Sequence, residues 1–394
     1  MRGRLPVSGS QSSLREANRA RVVDAVKRHG GLTQVELTGA TGLSAATVST
    51  IVKELVTAGM VEVRPAVRSG RRAQLVTLSH RVGLVAGVVV GYRHMRVAIA
   101  DVTHEVVAEQ TLPLPADHRC DTSLDRAALL VVDLLERVGV DLDELLAIGL
   151  GIPASVDVST GLITVRGVLR GWDGVPIAQV LEKRLARPVF VDNDANLGAL
   201  AESTVGAARE YHHALYVRAS HGVGAGVIIG GRLHRGPGGT AGEIGHVQVE
   251  PAGRICVCGS TVVGIPALLE PLRTSHGNLT LRDVVTLAND DDPGCREIVA
   301  DAGATVGAVV ANLATVMGPE CVVVGGELAE TGETFLGPVR EAIRRRTLLN
   351  QLTPLDVVPA ELGARAELMG AIVLALQSTD VFENADDGTQ KGSL

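Results

Sequence analysis

The chain has 394 residues, 46% hydrophobic and 21% charged, with 46 Gly, 16 Pro, three Phe, three Tyr and a single Trp. Such a length and apolar content exclude global disorder and low complexity, and they predict two or three compact units each able to bury a core. The formal net charge of −7 is unevenly placed: residues 1–80 hold 12 basic and 5 acidic side chains, a surplus of +7, and the remainder holds 25 against 39, a deficit of −14.

A basic unit ahead of an acidic body predicts a polyanionic partner at one end only. Cys120, Cys256, Cys258, Cys295 and Cys321 are an odd set without the density of a disulfide scaffold, so a reducing compartment is expected. No apolar run follows Arg2 and Arg4 to make a signal peptide, and the most hydrophobic stretch, expected at Val82 to Val90, is far shorter than the roughly 20 residues of a spanning helix. A cytoplasmic location without membrane contact is the expectation.

From Asn18 to His29 the residues Val22, Val23 and Val26 recur at helical spacing among Arg19, Arg21, Lys27 and Arg28, and Gly30-Gly31 stops the run. Thr33-Gln-Val-Glu36 fits a capping box opening a second, short helix that Gly42 breaks. Ser44 is placed to cap a third helix whose apolar stripe is Val48, Ile51, Val52 and Leu55. Helix, tight turn, helix is the arrangement that lays its second helix in the DNA major groove. Ser44, Ala45, Thr47, Ser49 and Thr50, small and hydroxyl-rich, stand at the start of that helix, where close approach to phosphates and base edges is needed. A strand from Met60, a loop with Arg68, Gly70, Arg71 and Arg72, and a strand Gln74–Leu78 then read as a wing with a basic tip. Residues 14–79 are therefore assigned as a winged helix-turn-helix domain binding double-stranded DNA.

From Leu84 the pattern turns to β-type runs, at residues 84–90, 95–100 and 105–112, followed by a helix with Leu129, Leu130, Leu134 and Leu135 and an apolar strand at 146–151. A comparable layout reopens at 214–218, 224–229 and 232–234. Two related α/β lobes with a cleft between them fit this repeat over residues 81–379, and ligands of open α/β sheets bind where strand ends face a crevice. Residues 380–394 are expected to be a disordered tail.

One apolar strand runs from Val189 into Asp192, Asn193, Asp194 and Asn196. Such groups suit the adjacent hydroxyls of a polyol, and they equally suit an Asx-rich helix cap. Further on, Gly239-Thr-Ala-Gly-Glu-Ile-Gly-His246 sets Glu243 three residues from His246, and Cys256-Val-Cys258 follows. His246, Cys256 and Cys258 form part of a zinc ligand set, the alternative being two reduced cysteines.

With these strings in this order, the chain from about Asn18 to Leu376 resembles a regulator of the ROK family, named for repressors, open reading frames and sugar kinases. The matching pieces are Ser69-Gly-Arg-Arg72, Gly151-Ile-Pro153, Gly171-Trp-Asp-Gly-Val-Pro176, Val191-Asp-Asn-Asp-Ala-Asn196, the stretch from Arg235 to His246, and Cys256-Val-Cys-Gly259. The resemblance implies an actin-like, sugar-kinase-type body behind the winged helix. It implies operator binding as a homodimer or homotetramer, and a sugar, amino sugar or sugar phosphate as effector. By the same resemblance Asn193, Glu243 and His246 hold the sugar, and Asp194 stands where the kinases of the family keep their general base.

The nucleotide side departs from that pattern. Where the kinases have Asp-x-Gly-Gly-Thr this chain has Val89-Val-Gly-Tyr-Arg93, and where they have Gly-Thr-Gly it has Ser220-His-Gly222. Phosphoryl transfer rests on positioning and charge stabilisation, so a chain without both clamps is expected to bind no ATP and to act as a repressor and not as an enzyme. The alternative is an ATP-dependent sugar kinase with a DNA-binding appendage. Val263 stands in place of a third zinc cysteine, Ile265 replaces a glutamate, and Arg166 and Arg170 are candidates for an effector phosphate.

Overall fold

A computed structural model describes residues 11–29, 31–68, 71–79, 83–115, 117–247, 272–346 and 355–379. The N-terminal unit comprises α1 (Gln11–His29), α2 (Gln34–Thr41), α3 (Ala45–Thr57), β1 (Val61–Arg68) and β2 (Arg71–Leu78). The capping box is present at α2: Thr33 accepts from the Glu36 backbone, and Glu36 accepts from the Thr33 backbone at 2.7 Å. Gly42 closes that helix with φ 69°, a conformation in which a Cβ is strained. Ser44 caps α3, whose buried stripe is the predicted Val48, Ile51, Val52 and Leu55. β1 and β2 pair antiparallel from Val61↔Leu78 to Arg68↔Arg71, and Leu32 bridges Val76 as a short third strand. The hairpin is longer than the sequence predicts, because strand pairing carries Arg68, Arg71 and Arg72 out of the expected loop into the ladder.

The body holds two five-stranded sheets of one design. In the first lobe β3 (Leu84–Val90), β4 (His94–Asp101), β5 (Val106–Pro113), β6 (Leu145–Ile152) and β9 (Val189–Asn193) lie in the order β5-β4-β3-β6-β9. Helices α4 (Cys120–Val138) and α5 (Ile177–Leu185) cover one face, and a small hairpin, β7 (Val156–Asp157) and β8 (Leu162–Ile163), follows β6. In α4 the buried stripe is Leu124, Ala127, Val131, Leu134 and Leu135, while Leu129 is 70% exposed.

Helix α6 (Asp194–Val205) leads to the second lobe, where β10 (Ala214–Ala219), β11 (Val223–Ile229), β12 (Arg232–His234), β13 (Cys321–Gly325) and β14 (Asp356–Pro359) lie in the order β12-β11-β10-β13-β14. Each sheet has three antiparallel strands followed by two parallel ones, which is the repeat seen in the sequence. The second lobe also carries α7 (Arg273–His276), α8 (Leu281–Asn289), α9 (Pro293–Met317) and α10 (Glu333–Arg346). Contrary to the expectation that nothing in the chain approaches spanning length, α9 is long and apolar enough by composition to do so. Half of its most apolar window is nevertheless buried inside the protein, where Gly303 and Gly307 let α10 approach closely at Phe335 and Val339.

The last helix, α11 (Ala366–Ser378), crosses back to the first lobe and packs on β3, β6 and α6. A Cβ on Gly149 would overlap the Ala371 carbonyl, and one on Gly370 would overlap the Leu197 carbonyl, so helix and sheet meet at backbone distance. The same helix closes the core of the winged helix: Val22, Val26, Leu37, Leu55 and Leu78 share one buried cluster with Val85, Ala100, Leu368, Ile372 and Leu376. Lys27, buried, donates from its ammonium to the Thr379 carbonyl. The assigned tail at 380–394 lies outside the described residues.

Candidate functional site: the interlobe cleft and the winged helix

Between the lobes lies a cavity of about 990 Å³. Gly91 and Tyr92 from the β3–β4 turn, Asp194 from the start of α6, Arg218 and His221 from the β10–β11 hairpin, and Glu367 from the first turn of α11 are among its walls. Of the residues that the sequence marks as chemical, the two altered phosphate turns and Asp194 meet here, while Asn193, Glu243 and His246 are not among the cavity residues.

Asp194 is 7% exposed, and its Oδ2 lies 3.4 Å from Arg218 Nη1. Arg218 Nε donates to Glu367 Oε1 at 2.6 Å. Burial pushes the Asp194 carboxyl up to about 6, against the pull of the Arg218 guanidinium. One cation therefore sits between the buried Asp194 carboxylate and the half-buried Glu367 carboxylate, tying the second lobe to α6 and α11. Sequence reasoning missed Arg218 and Glu367. A faint signal existed in Arg218, a charge ending the otherwise apolar run of β10, but its partner is 149 residues away.

The other members of the expected sugar set have distinct places. Asn193 Oδ1 accepts from the Ala195 and Asn196 backbone at 2.8 and 3.4 Å, so that oxygen acts as the helix cap. Asp192 is held by Arg235 Nε at 2.7 Å and Asn196 Nδ2 at 2.8 Å, which makes it structural. Glu243 accepts from the Ser155 hydroxyl, stands 3.5 Å from His246 Nε2, and is close enough to Asp194 to raise its pKa. Glu243, His246 and Ser155 accordingly form one polar group. Arg166 and Arg170 are exposed and are not among the cavity residues. Of the expected zinc ligands only His246 is described; Cys256 and Cys258 lie outside the described residues.

Both altered phosphate turns line the cavity. The rings of Tyr92 and His221 lie beside each other at its wall, tilted by 45° with 6.3 Å between centroids. Ser220 donates to Glu327 at 2.8 Å and His221 Nδ1 lies 3.4 Å from the same oxygen, which together hold the Glu327 carboxyl below the usual carboxylate range. A carboxylate and two rings thus stand at the altered turns, in a cavity wall that also carries Arg93, Arg96 and Arg282.

In the winged helix Ser44, Ala45 and Thr50 are exposed and Thr47 and Ser49 half-buried on the outer face of α3. Ser44 Oγ accepts from the Thr47 backbone at 3.1 Å and Thr50 Oγ1 donates to the Ala46 carbonyl at 2.9 Å, so these hydroxyls already serve the helix. The backbones of Arg68, Arg71 and Arg72 end the hairpin; Gly70 lies outside the described residues.

The ROK family profile matches residues 85–378. The chain belongs to the ROK family. A MarR family profile matches residues 16–72, over the winged helix. Among curated proteins of full-length similarity are a putative xylose repressor of Caldicellulosiruptor sp. strain Rt8B.4, 25% identical over 95% of this chain and 99% of its own length, and the DNA-binding transcriptional dual regulator NagC of Escherichia coli K12, 28% identical over 93% and 94%. In structure the chain is similar to a ROK family transcriptional regulator described as a homologue of the E. coli MLC protein, with a TM-score of 0.75 at 21% identity over 95% of this chain and all of that one. A ROK hexokinase from Thermus thermophilus, 31% identical with a TM-score of 0.62, covers 74% of this chain and 97% of its own. The regulators therefore extend over the winged helix and body together.

Proposed function

We propose that this ROK family protein is a transcriptional repressor that binds double-stranded operator DNA through its winged helix, as a homodimer or homotetramer, and responds to a sugar, amino sugar or sugar phosphate held in the interlobe cleft. The observation that carries this reading is the single helix α11, which places Glu367 in the cleft at one end and accepts the winged helix onto its other end. A ligand that binds one lobe arrangement better than another biases α11, and with it the spacing of paired recognition helices, by its differential affinity. Repressor relatives that cover the full chain support the DNA-binding half, and their names point to xylose and N-acetylglucosamine as the first effectors to test.

DNA-binding anisotropy on the protein's own promoter region, repeated with xylose, N-acetylglucosamine and their phosphates, tests both halves. Binding to a near-palindromic site that changes at least tenfold with one sugar is expected. Binding that no sugar alters removes the sensor, and absence of any DNA binding removes the repressor. Zinc at His246, Cys256 and Cys258 belongs to the same proposal, tested by metal analysis of the purified chain against the Cys256→Ser/Cys258→Ser variant.

The second reading, an ATP-dependent sugar kinase, is favoured by one observation, a carboxylate at Asp194 facing the cleft, and by the hexokinase relative. Against it stand the ion pair that engages this carboxylate and the Glu327, Tyr92 and His221 side chains at the phosphate turns. ATP-dependent phosphorylation of a hexose that disappears in Asp194→Asn would establish it.

A further inference from the structure

Apart from the cleft, the described residues contain one group of three metal-ligating side chains of different chemistry: His276, Asp292 and Cys295. His276 ends α7, Asp292 caps α9 and Cys295 sits in the first turn of that helix. Their ligand atoms lie within 4.8 Å of one another. His276 Nε2 is 3.1 Å from Asp292 Oδ2, while Oδ1 of the same carboxylate accepts from the Cys295 backbone at 2.8 Å.

Helix capping accounts for Oδ1 and an ordinary ion pair accounts for Oδ2. The thiol, buried on its apolar side in the core of the second lobe, hydrogen-bonds the same carboxylate, and its sulfur thereby comes within reach of both the imidazole and the carboxylate. Ser275 Oγ lies 2.7 Å from His276 Nδ1, which turns Nε2 toward the other two groups, the orientation that outer hydrogen bonds give metal-bound imidazoles. Zinc bonds of about 2.0–2.3 Å in a tetrahedron set ligand atoms roughly 3.3–3.8 Å apart, so side-chain shifts of about 1 Å bring the three around an ion.

We propose that His276 Nε2, Asp292 Oδ2 and Cys295 Sγ bind a divalent ion of the zinc class, with the fourth coordination position left to water. Nitrogen, carboxylate oxygen and thiolate together select a borderline metal over magnesium or calcium, which take oxygen only. The side chains of His276 and Asp292 are 23% and 25% exposed, which leaves the ion a way in. The site shares no residue with the His246, Cys256 and Cys258 set. Its position gives it a consequence for the cleft: residues 279–282, three beyond His276, form part of the cavity wall, and an ion joining α7 to α9 fixes where that wall begins.

Cobalt(II) titration of the full chain carrying Cys256→Ser and Cys258→Ser tests this directly. A thiolate-to-cobalt charge-transfer band with the visible absorption of a tetrahedral site is expected, saturating at a single cobalt per chain and displaced by zinc. Adding Cys295→Ser is expected to abolish the charge-transfer band, and adding His276→Ala to weaken cobalt binding at least tenfold. No charge-transfer band, or one that survives Cys295→Ser, overturns the proposal. Should circular dichroism show that the double serine variant does not fold, the comparison is made in the wild-type background. There His276→Ala is expected to lower the bound cobalt by a single ion per chain, and an unchanged count overturns the site.

Discussion

Arg218 decides the electrostatics of the cleft, because it is the cation shared by Asp194 and Glu367. Removing one partner of a buried ionic cluster costs more than the cluster contributes, since the charges left behind have lost water as well as their counter-ion. Because Arg218 keeps 22% side-chain exposure, Arg218→Ala is expected to destabilise the fold by about 2–3 kcal/mol, below the range for a fully buried pair, read as a lowered urea midpoint.

Asp194 predicts a pH dependence of definite sign. Its folded pKa, raised by burial to about 6, exceeds the ordinary aspartate value of 3.8, so the folded state holds the proton more tightly and this group's contribution to stability falls as pH rises from about 4 through about 6. Asp194→Asn removes that slope, and across the same window the variant is expected to gain about 2–3 kcal/mol relative to wild type. His104 works in the opposite sense: burial lowers it to about 4, so acidification through the same range costs stability in both proteins and cancels from their difference. Denaturation curves of the pair at several pH values test this, and parallel curves would contradict it.

At the scale of elements, α11 meets β6 at Gly149 and α6 at its own Gly370, both at backbone distance. Gly370→Ala drives a methyl into the Leu197 carbonyl, and Gly149→Ala does the same at Ala371; either is expected to cost about 3 kcal/mol or more, visible as a drop in Tm. Glu202 adds a second tie. Fully buried in α6, it accepts from the backbones of Ala207, Glu361 and Leu362 at 2.7, 3.2 and 2.9 Å, anchoring the approach to α11.

Much of this element structure was legible in the residues. The Thr33 and Glu36 box, the Ser44 cap and the stripe from Val48 to Leu55 are local, and local chemistry is what sequence periodicity reports. The duplicated sheets were visible as two runs of similar layout. What escaped was non-local: Arg218 reaching Glu367, Lys27 reaching Thr379, and the return of α11 to the first lobe. In the site, Asp194 was found by its motif, whereas the capping role of Asn193 and the pairing of Asp192 with Arg235 could be separated only by geometry.

For the whole molecule, Lys27 is a polar link between DNA-binding unit and body, and its test separates coupling from binding. Lys27→Met keeps the apolar stem and removes the bond to the Thr379 carbonyl. Operator affinity is expected to stay within about threefold, while the effector-induced change shrinks by about fivefold or more, as loss of roughly 1 kcal/mol of coupling requires. At the other end of the unit, Arg71→Ala with Arg72→Ala is expected to weaken operator binding and to flatten its dependence on log salt by about one for each phosphate that the variant leaves unneutralised.

The shared core also has a consequence for how the protein is made. Val22 and Val26 lie near the start of the chain, and the helix that covers their cluster, with Ile372 and Leu376, lies near the end. On the ribosome that apolar flank therefore stays uncovered until Ile372 and Leu376 have been translated. A chain broken before Ala366 would carry a winged helix that has lost the cover of Ile372 and Leu376, and such a product is expected to aggregate.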